Sequence, residues 1–325
     1  MSKETLMTIV QTARGPVETA DLGRTLMHEH VFVLSPDSQR QWSDEWDEEE
    51  QVANAIAKLN ELAAAGISTI ADPTVDGLGR DIGRIARIQA EVDLNIIVAT
   101  GVYTYTDVPH FFFFRGPGVI PGLPDPMVDL FVRDLEEGVR GTEVRAGFLK
   151  CAIDEHGLMP GVERVLRAVA AAQLRTGAPI MVHTHPGSQT GLAVKQVLGS
   201  EGVAFDRVLL AHSGDSTDAE HLTALAENGF MLGMDRFGID ATLDFEGRVG
   251  IVAEMCRRGY AGQMVLSHDA ACYIDWIDPA FKPGLPNWHY LHIVRDVVPA
   301  LLDRGVTEAQ VDEMLVSSPR RFFEG

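Results

Sequence analysis

Cysteine is scarce in this chain. Three thiols, Cys151, Cys256 and Cys272, occur among 325 residues, and no two stand in a CxxC spacing. That excludes a disulfide scaffold and a zinc-finger pattern, and it suits a reducing cytoplasm. Positive charge is also sparse: 27 Lys and Arg face 47 Asp and Glu, for a formal net charge of −20. Nucleic-acid binding needs cations clustered against phosphates, and these form no stripe. The same imbalance disfavours an anionic membrane surface. No apolar run approaches the ~18–20 residues of a membrane span. Met1–Met7 is polar and charged, so no secretory signal is expected there. Linkers, low-complexity tracts and strong internal repeats are missing as well.

What is present is an alternation. Eight short apolar runs carry β-branched residues: Thr25–Val33, Ile67–Asp72, Asn95–Thr100, Ala146–Cys151, Pro179–His183, Val208–His212, Phe230–Met234 and Met264–His268. Between them lie stretches of helical period. Glu48–Ala65 opens with acidic residues that suit the helix dipole and is followed by Gly66. Gly161–Thr176, Asp218–Asn228 and Phe245–Arg258 likewise run into Gly177, Gly229 and Gly259. Strand–helix alternation repeated eight times predicts an α/β fold, a (β/α)8 TIM barrel spanning 1–325 as a single domain. A doubly wound sheet is the alternative, but its Gly-rich phosphate loop is replaced here by His-Glu-His. Met7–Leu22 reads as an N-terminal β-hairpin turning at Arg14-Gly15-Pro16, placed to close the barrel bottom. Asn287–Arg304 and Thr307–Ser318 read as closing helices. Asp44–Glu50 reads as a solvated helix start.

The chemistry gathers at the strand ends. His28 and His30 form an HxH on the first strand, where a period of two points both to one face. His183 ends the fifth strand, His212 ends the sixth, and Asp269 follows the eighth. Barrel enzymes keep their sites at these C-terminal ends. One strand-end histidine is more often a hydrogen-bonded structural residue. Four imidazoles and a carboxylate from separate strands make a metal site, suited to zinc, iron, cobalt or manganese. With no cysteine in the set and room for two ions, it does not resemble a closed structural site. Lys150 ends the fourth strand, where burying an ammonium is costly. It is either a lysine at a solvated strand end or a neutral amine converted by carbon dioxide to an anionic carbamate ligand.

The ligand pattern resembles the binuclear branch of the amidohydrolase superfamily. The segments RGPVETADLGRTLMHEH, VHTH, LLAHSGD and VLSHD are similar to the phosphotriesterase family over nearly the full length. Within it, GMDRFGID after the seventh strand resembles the phosphotriesterase-like lactonases, which have a short loop with an Arg there. The resemblance implies a single metal-dependent hydrolase barrel with two divalent ions. His28, His30 and Asp269 would hold a buried ion, and His183 and His212 an exposed one. Carbamylated Lys150 would bridge them together with a hydroxide. Tyr103 matches the lactonase Tyr beside the substrate carbonyl, and Arg236 matches the loop Arg lining the site. Trp276 lies in the wall after the eighth strand. The family often has an aromatic and a Cys directly after the metal-binding Asp. This chain has Ala270 and Ala271, a departure that widens the pocket and leaves acyl preference open.

The activity implied is opening of N-acyl homoserine lactones and related lactones, with weak phosphotriester hydrolysis as a side reaction. In that scheme Asp269 shuttles the proton, and Tyr103 steadies the developing charge on oxygen. An organophosphate triesterase is the alternative within the family. A non-catalytic barrel binding metal or ligand is the alternative outside it. Phe111–Phe114 lies in a Pro- and Gly-rich loop, Tyr103–Pro126. Four adjacent aromatics are seldom left in water. They are expected to form a homodimer interface, the other reading being a border of the acyl groove.

Overall fold

A computed structural model describes residues 8–42, 45–117 and 119–324; Met1–Met7 and Asp44 lie outside the described residues. Strands β1 (Ile9–Thr12) and β2 (Gly15–Glu18) form the expected hairpin. The barrel wall comprises β3 (Thr25–Leu26), β4 (His30–Val33), β5 (Thr69–Asp72), β6 (Asn95–Gly101), β7 (Phe148–Ala152), β8 (Ile180–His183), β9 (Val208–Ala211), β10 (Met231–Met234), β11 (Met264–Leu266) and β12 (Ala271–Ile274). Eight of these form one parallel sheet in chain order, from β3 through β5 to β11. The expected TIM barrel is the observed fold.

The first apolar run, Thr25–Val33, is interrupted. It divides into β3 and β4, and the break carries His28. Beyond the break, β4 pairs in parallel with β12, in the register His30↔Ala271 and Tyr273↔Phe32. The amide of Asp269 donates to the His28 carbonyl (3.0 Å), and that of His30 to Ala270 (2.8 Å). The first and eighth positions of the barrel are therefore stitched at the C-terminal end, where the site residues sit.

Helices α1 (Pro36–Trp42), α2 (Glu48–Ala64), α3 (Ile82–Gln89), α4 (His110–Arg115), α5 (Pro126–Glu136), α6 (Pro160–Thr176), α7 (Thr190–Glu201), α8 (Ala219–Glu227) and α9 (Phe245–Arg257) flank the strands. The α2 start follows its sequence signal: the Asp47 side chain accepts from Glu50 N, with three glutamates in the first turn. α6 ends at Gly177, whose φ of 72° suits a residue without Cβ. Phe111–Phe114 proves helical within α4. Phe112 enters the core, whereas Phe111 and Phe114 are 49% and 63% exposed.

At the opposite end, Val10 of the hairpin joins Ile97, Phe148, Leu209, Val265, Phe322 and Phe323 in an apolar plug inside the barrel. The hairpin turns at Ala13-Arg14, one step earlier than the sequence suggests. Gly15, at φ 114°, absorbs the reversal, so Pro16 falls on the outgoing strand. Arg14 Nη2 then donates to the Val92 and Leu94 carbonyls, both at 2.8 Å, fixing the hairpin below β6.

The first closing helix is a π-turn, Ile293–Val297, running into α10 (Val298–Asp303). The second continues past Ser318: α11 (Glu308–Asp312), a π-turn at Glu313–Ser317 and α12 (Ser318–Glu324). The wider turn makes room for the Pro319 ring, which would otherwise stop the helix. That extension delivers Phe322 and Phe323 to the plug. Among the described residues no helix is long and apolar enough to cross a membrane.

Candidate metal centre

The structure brings the sequence-selected donors together. His28 Nε2 lies 3.1 Å and His30 Nε2 3.3 Å from Asp269 Oδ1. His212 Nε2 lies 3.8 Å from Asp269 Oδ2 and 2.8 Å from His183 Nδ1. His28 and His30 share a face despite the strand break. His28, His30 and Asp269 also have donor atoms close enough to hold one ion. His212 and Asp269 both have left-handed backbone, φ 67° and 54°. Such strain in non-glycine residues concentrates at functional sites.

Each imidazole has a partner behind it. Asp235 accepts from His28 Nδ1 (2.9 Å), and its other oxygen faces His212 Nδ1 (3.0 Å) and accepts from the His212 amide (2.7 Å). Thr74 Oγ1 meets His30 Nδ1 at 2.8 Å, and Asp72 supports Thr74. Asp154 binds His183 Nε2, so His183 turns Nδ1 toward the cluster. Such backing fixes which ring nitrogen is free for a metal.

Lys150 lies in β7, fully buried at the same cavity, and its Nζ has no hydrogen-bond partner. Burial pulls its pKa down to about 8, against the opposing pull of Asp269 and Asp235. The solvated-lysine alternative is thereby removed. The neighbouring strand approaches so closely that a Cβ at Gly101 would fall 1.7 Å from the Lys150 carbonyl oxygen. A buried, partnerless amine pulled toward its neutral form, set among imidazoles and a carboxylate, gives a donor set that fits divalent metal ions.

The charge states of His183 and His212 agree with that fit. Burial, aided by Arg236, holds His212 well below its ordinary value, and burial brings His183 to about 4. Both rings are therefore neutral near pH 7, the form that binds metal. His28 is raised: burial and Lys150 lower it, but the Asp269 and Asp235 carboxylates outweigh them. Asp269 is held low although burial opposes ionisation, because His28 faces it and the His28 and His30 rings hydrogen-bond to it.

Above this floor the cavity holds about 350 Å³. Val33, Leu78, Ile239, Ile274, Trp276 and Trp288 form much of its wall, with Ala271 on β12. Tyr103 OH lies 3.2 Å from His183 Nδ1 and 2.5 Å from Tyr105 OH, and burial keeps its phenol protonated. Arg236 Nε donates to Asp269 Oδ2 (3.1 Å) and Nη1 to Asp215 Oδ2 (3.0 Å). Trp276 is half-exposed at the rim, its indole Nε1 donating to Ser35 Oγ at 3.0 Å. Every site residue selected from sequence thus lines the cavity.

Sequence reasoning missed Asp235, Asp154, Tyr105 and Glu29. Glu29 is the middle residue of His-Glu-His and points away from the cavity. Its carboxylate accepts from Ser267 Oγ (2.9 Å) and from the amides of His268 (2.9 Å) and Ala270 (3.1 Å), while Oε1 lies 2.6 Å from His268 Nδ1. It therefore grips both sides of Asp269. A glutamate inside a run buried on both faces was the available signal. Asp235 had a similar one, a carboxylate directly after a strand end.

Residues 8–323 match the model of the phosphotriesterase family. A phosphotriesterase homology protein of Mycobacterium tuberculosis is 56% identical over 317 residues, covering 97% of each chain. An aryldialkylphosphatase of Saccharolobus solfataricus is 35% identical over 320 residues, covering 98% of this chain and all of that one. The solved phosphotriesterase structure from M. tuberculosis superposes with a TM-score of 0.95 at 55% identity, over 97% of this chain and 98% of that one. A structure from engineering of organophosphate hydrolysis on a weak promiscuous lactonase template gives 0.88 at 31%, over 98% and 100%.

Proposed function

Since the chain belongs to the phosphotriesterase family and is a metal-dependent hydrolase, we propose that it is a lactonase. Its substrates would be N-acyl homoserine lactones and related lactones, with weak phosphotriester hydrolysis as a side reaction. The observation carrying this reading is the division of the cavity. Its floor is a polar donor cluster with Tyr103 and Arg236, and its wall is largely aliphatic and aromatic. That division suits a molecule with one polar ester ring and an apolar tail.

His28, His30 and Asp269 would hold one divalent ion, zinc, cobalt, iron or manganese. His183 and His212 would hold a second, with carbamylated Lys150 between them. When bound, such ions lower the pKa of water and polarise a carbonyl. The chain's own residues supply the rest. Arg236 and Trp276 orient the ring and tail. Tyr103 donates a hydrogen bond to the oxygen that gains charge as water adds to the carbonyl carbon. Asp269 takes the proton of the attacking water and returns it to the ring oxygen as the carbon–oxygen bond breaks, giving the hydroxy acid. Exposed Phe111 and Phe114, near exposed Ile120 and Leu123 in sequence, support a homodimer. The three buried free cysteines support a reducing cytoplasmic setting.

The second reading, a main activity on organophosphate triesters, has the S. solfataricus relative's name behind it. One comparison separates them. Metal-reconstituted protein is assayed on a long-chain N-acyl homoserine lactone and on diethyl p-nitrophenyl phosphate, with and without chelator. Lactone turnover exceeding triester turnover by orders of magnitude, and lost with chelator, is expected. The reverse ratio would establish the triesterase, and turnover of neither would move the search to other esters and amides.

A further inference from the structure

Arg248 is the largest of the fully enclosed side chains among the described residues. Its position is unfavourable on two counts. It stands in the opening turns of α9, four residues past the N-cap Asp244, toward the end of a helix dipole that disfavours cations. It also lies on the helix's buried stripe, with Val252 and Met255 one and two turns on. A charge there is stable only if its donors are met.

They are met by two loops at the mouth. Nε donates to the Leu243 carbonyl (3.0 Å), and Nη2 to the Ile239 carbonyl (3.1 Å) and Thr242 Oγ1 (2.6 Å). Those three residues belong to the loop after β10, which carries Arg236 near its start. Nη1 donates to the Gly214 carbonyl (3.2 Å) and pairs with Asp215 Oδ1 at 2.7 Å, in the turn after β9 that follows His212. The other oxygen of Asp215 holds Arg236 Nη1 at 3.0 Å. A line of charges results: Arg248, Asp215, Arg236, Asp269. The loop also abuts the next one, since a Cβ at Gly238 would fall 2.3 Å from the Asn287 carbonyl oxygen.

We infer that Arg248 is a positioning residue that sets where Arg236 sits in the substrate pocket, acting through Asp215 and the loop after β10. The inference rests on the reading of Arg236 as a pocket residue. Arg248 itself does not line the cavity. A lysine at 248 keeps the charge but has one donor atom in place of the three guanidinium nitrogens. Arg236 is then free to shift, and small misplacements near a reacting centre are costly.

The test is a double-mutant cycle on the metal-loaded protein, with Arg248→Lys, Arg236→Ala and the double variant. Readouts are kcat and KM for a long-chain N-acyl homoserine lactone, together with metal content. Arg248→Lys is expected to lower kcat/KM about tenfold, mainly through KM, with both metals retained. In the Arg236→Ala background the same change is expected to have less than about a twofold effect, because the group it positions is gone. Asp215→Asn takes its place in the cycle if Arg248→Lys folds poorly, with the same expected pattern. A tenfold loss repeated in the Arg236→Ala background, or wild-type constants for Arg248→Lys, overturns the inference alone. Wild-type constants for Arg236→Ala overturn the pocket reading and the inference with it.

Discussion

The two ends of this barrel are built from opposite chemistry on the same strands. Where the strands begin, Val10, Phe148, Phe322 and Phe323 meet in an apolar plug. Where they finish, four histidines, Asp269 and Lys150 crowd one cavity, backed by Asp235 and Asp154. β7 shows both within five residues: Phe148 belongs to the plug, and Lys150, two positions on and on the same face, enters the site. The lower end supplies packing energy, and the upper end carries strain and buried charge. Stability and turnover should therefore separate by mutation along a single strand direction.

His183→Ala is the largest break on the chemical side. It removes a donor, so the loss of turnover should exceed the ~10–100-fold that outer partners typically cost, and metal content should fall. Wild-type turnover in that variant would remove His183 from the site. Asp235→Asn leaves every proposed ligand in place but unsettles His28 and His212. About 10–100-fold lower metal affinity or activity is expected, measured by metal titration. An unchanged titration would mean that the two rings are held by packing alone.

Phe322→Ala reverses the pattern. Truncating this buried ring should cost about 3–5 kcal/mol in denaturant unfolding, with kcat/KM per folded molecule unchanged. Turnover falling together with stability would show that the two ends are coupled.

A further effect concerns pH. Burial pushes the Cys151 and Cys272 thiols up to about 12 and Cys256 up to about 11. Above the ordinary thiol value of 9.0 the unfolded chain loses protons that the folded chain keeps, so stability should decline as pH rises past it. The urea midpoint is expected to drop between about pH 8 and about pH 10.5. A flat midpoint would argue that these thiols are less enclosed than they look.

Legibility in the sequence followed the same division. The strands, the helices and their glycine ends showed plainly, because apolar period and capping are local. His28, His30, His183, His212 and Asp269 were legible because strand ends are a positional rule of the barrel. Asp235 was not assigned, since it meets His28 across 207 residues and only the closed fold unites them. The break between β3 and β4 was invisible for a related reason: Glu29 bonds across the barrel seam, not along its own strand. The continuation of the last helix past Pro319 depended on a π-turn that no local propensity announces.

The most direct test of the metal centre is a titration of metal-free protein, with turnover of an N-acyl homoserine lactone followed against bound metal per chain. The account predicts no turnover without metal and a rise that saturates at two equivalents. Full turnover by metal-free protein would contradict it.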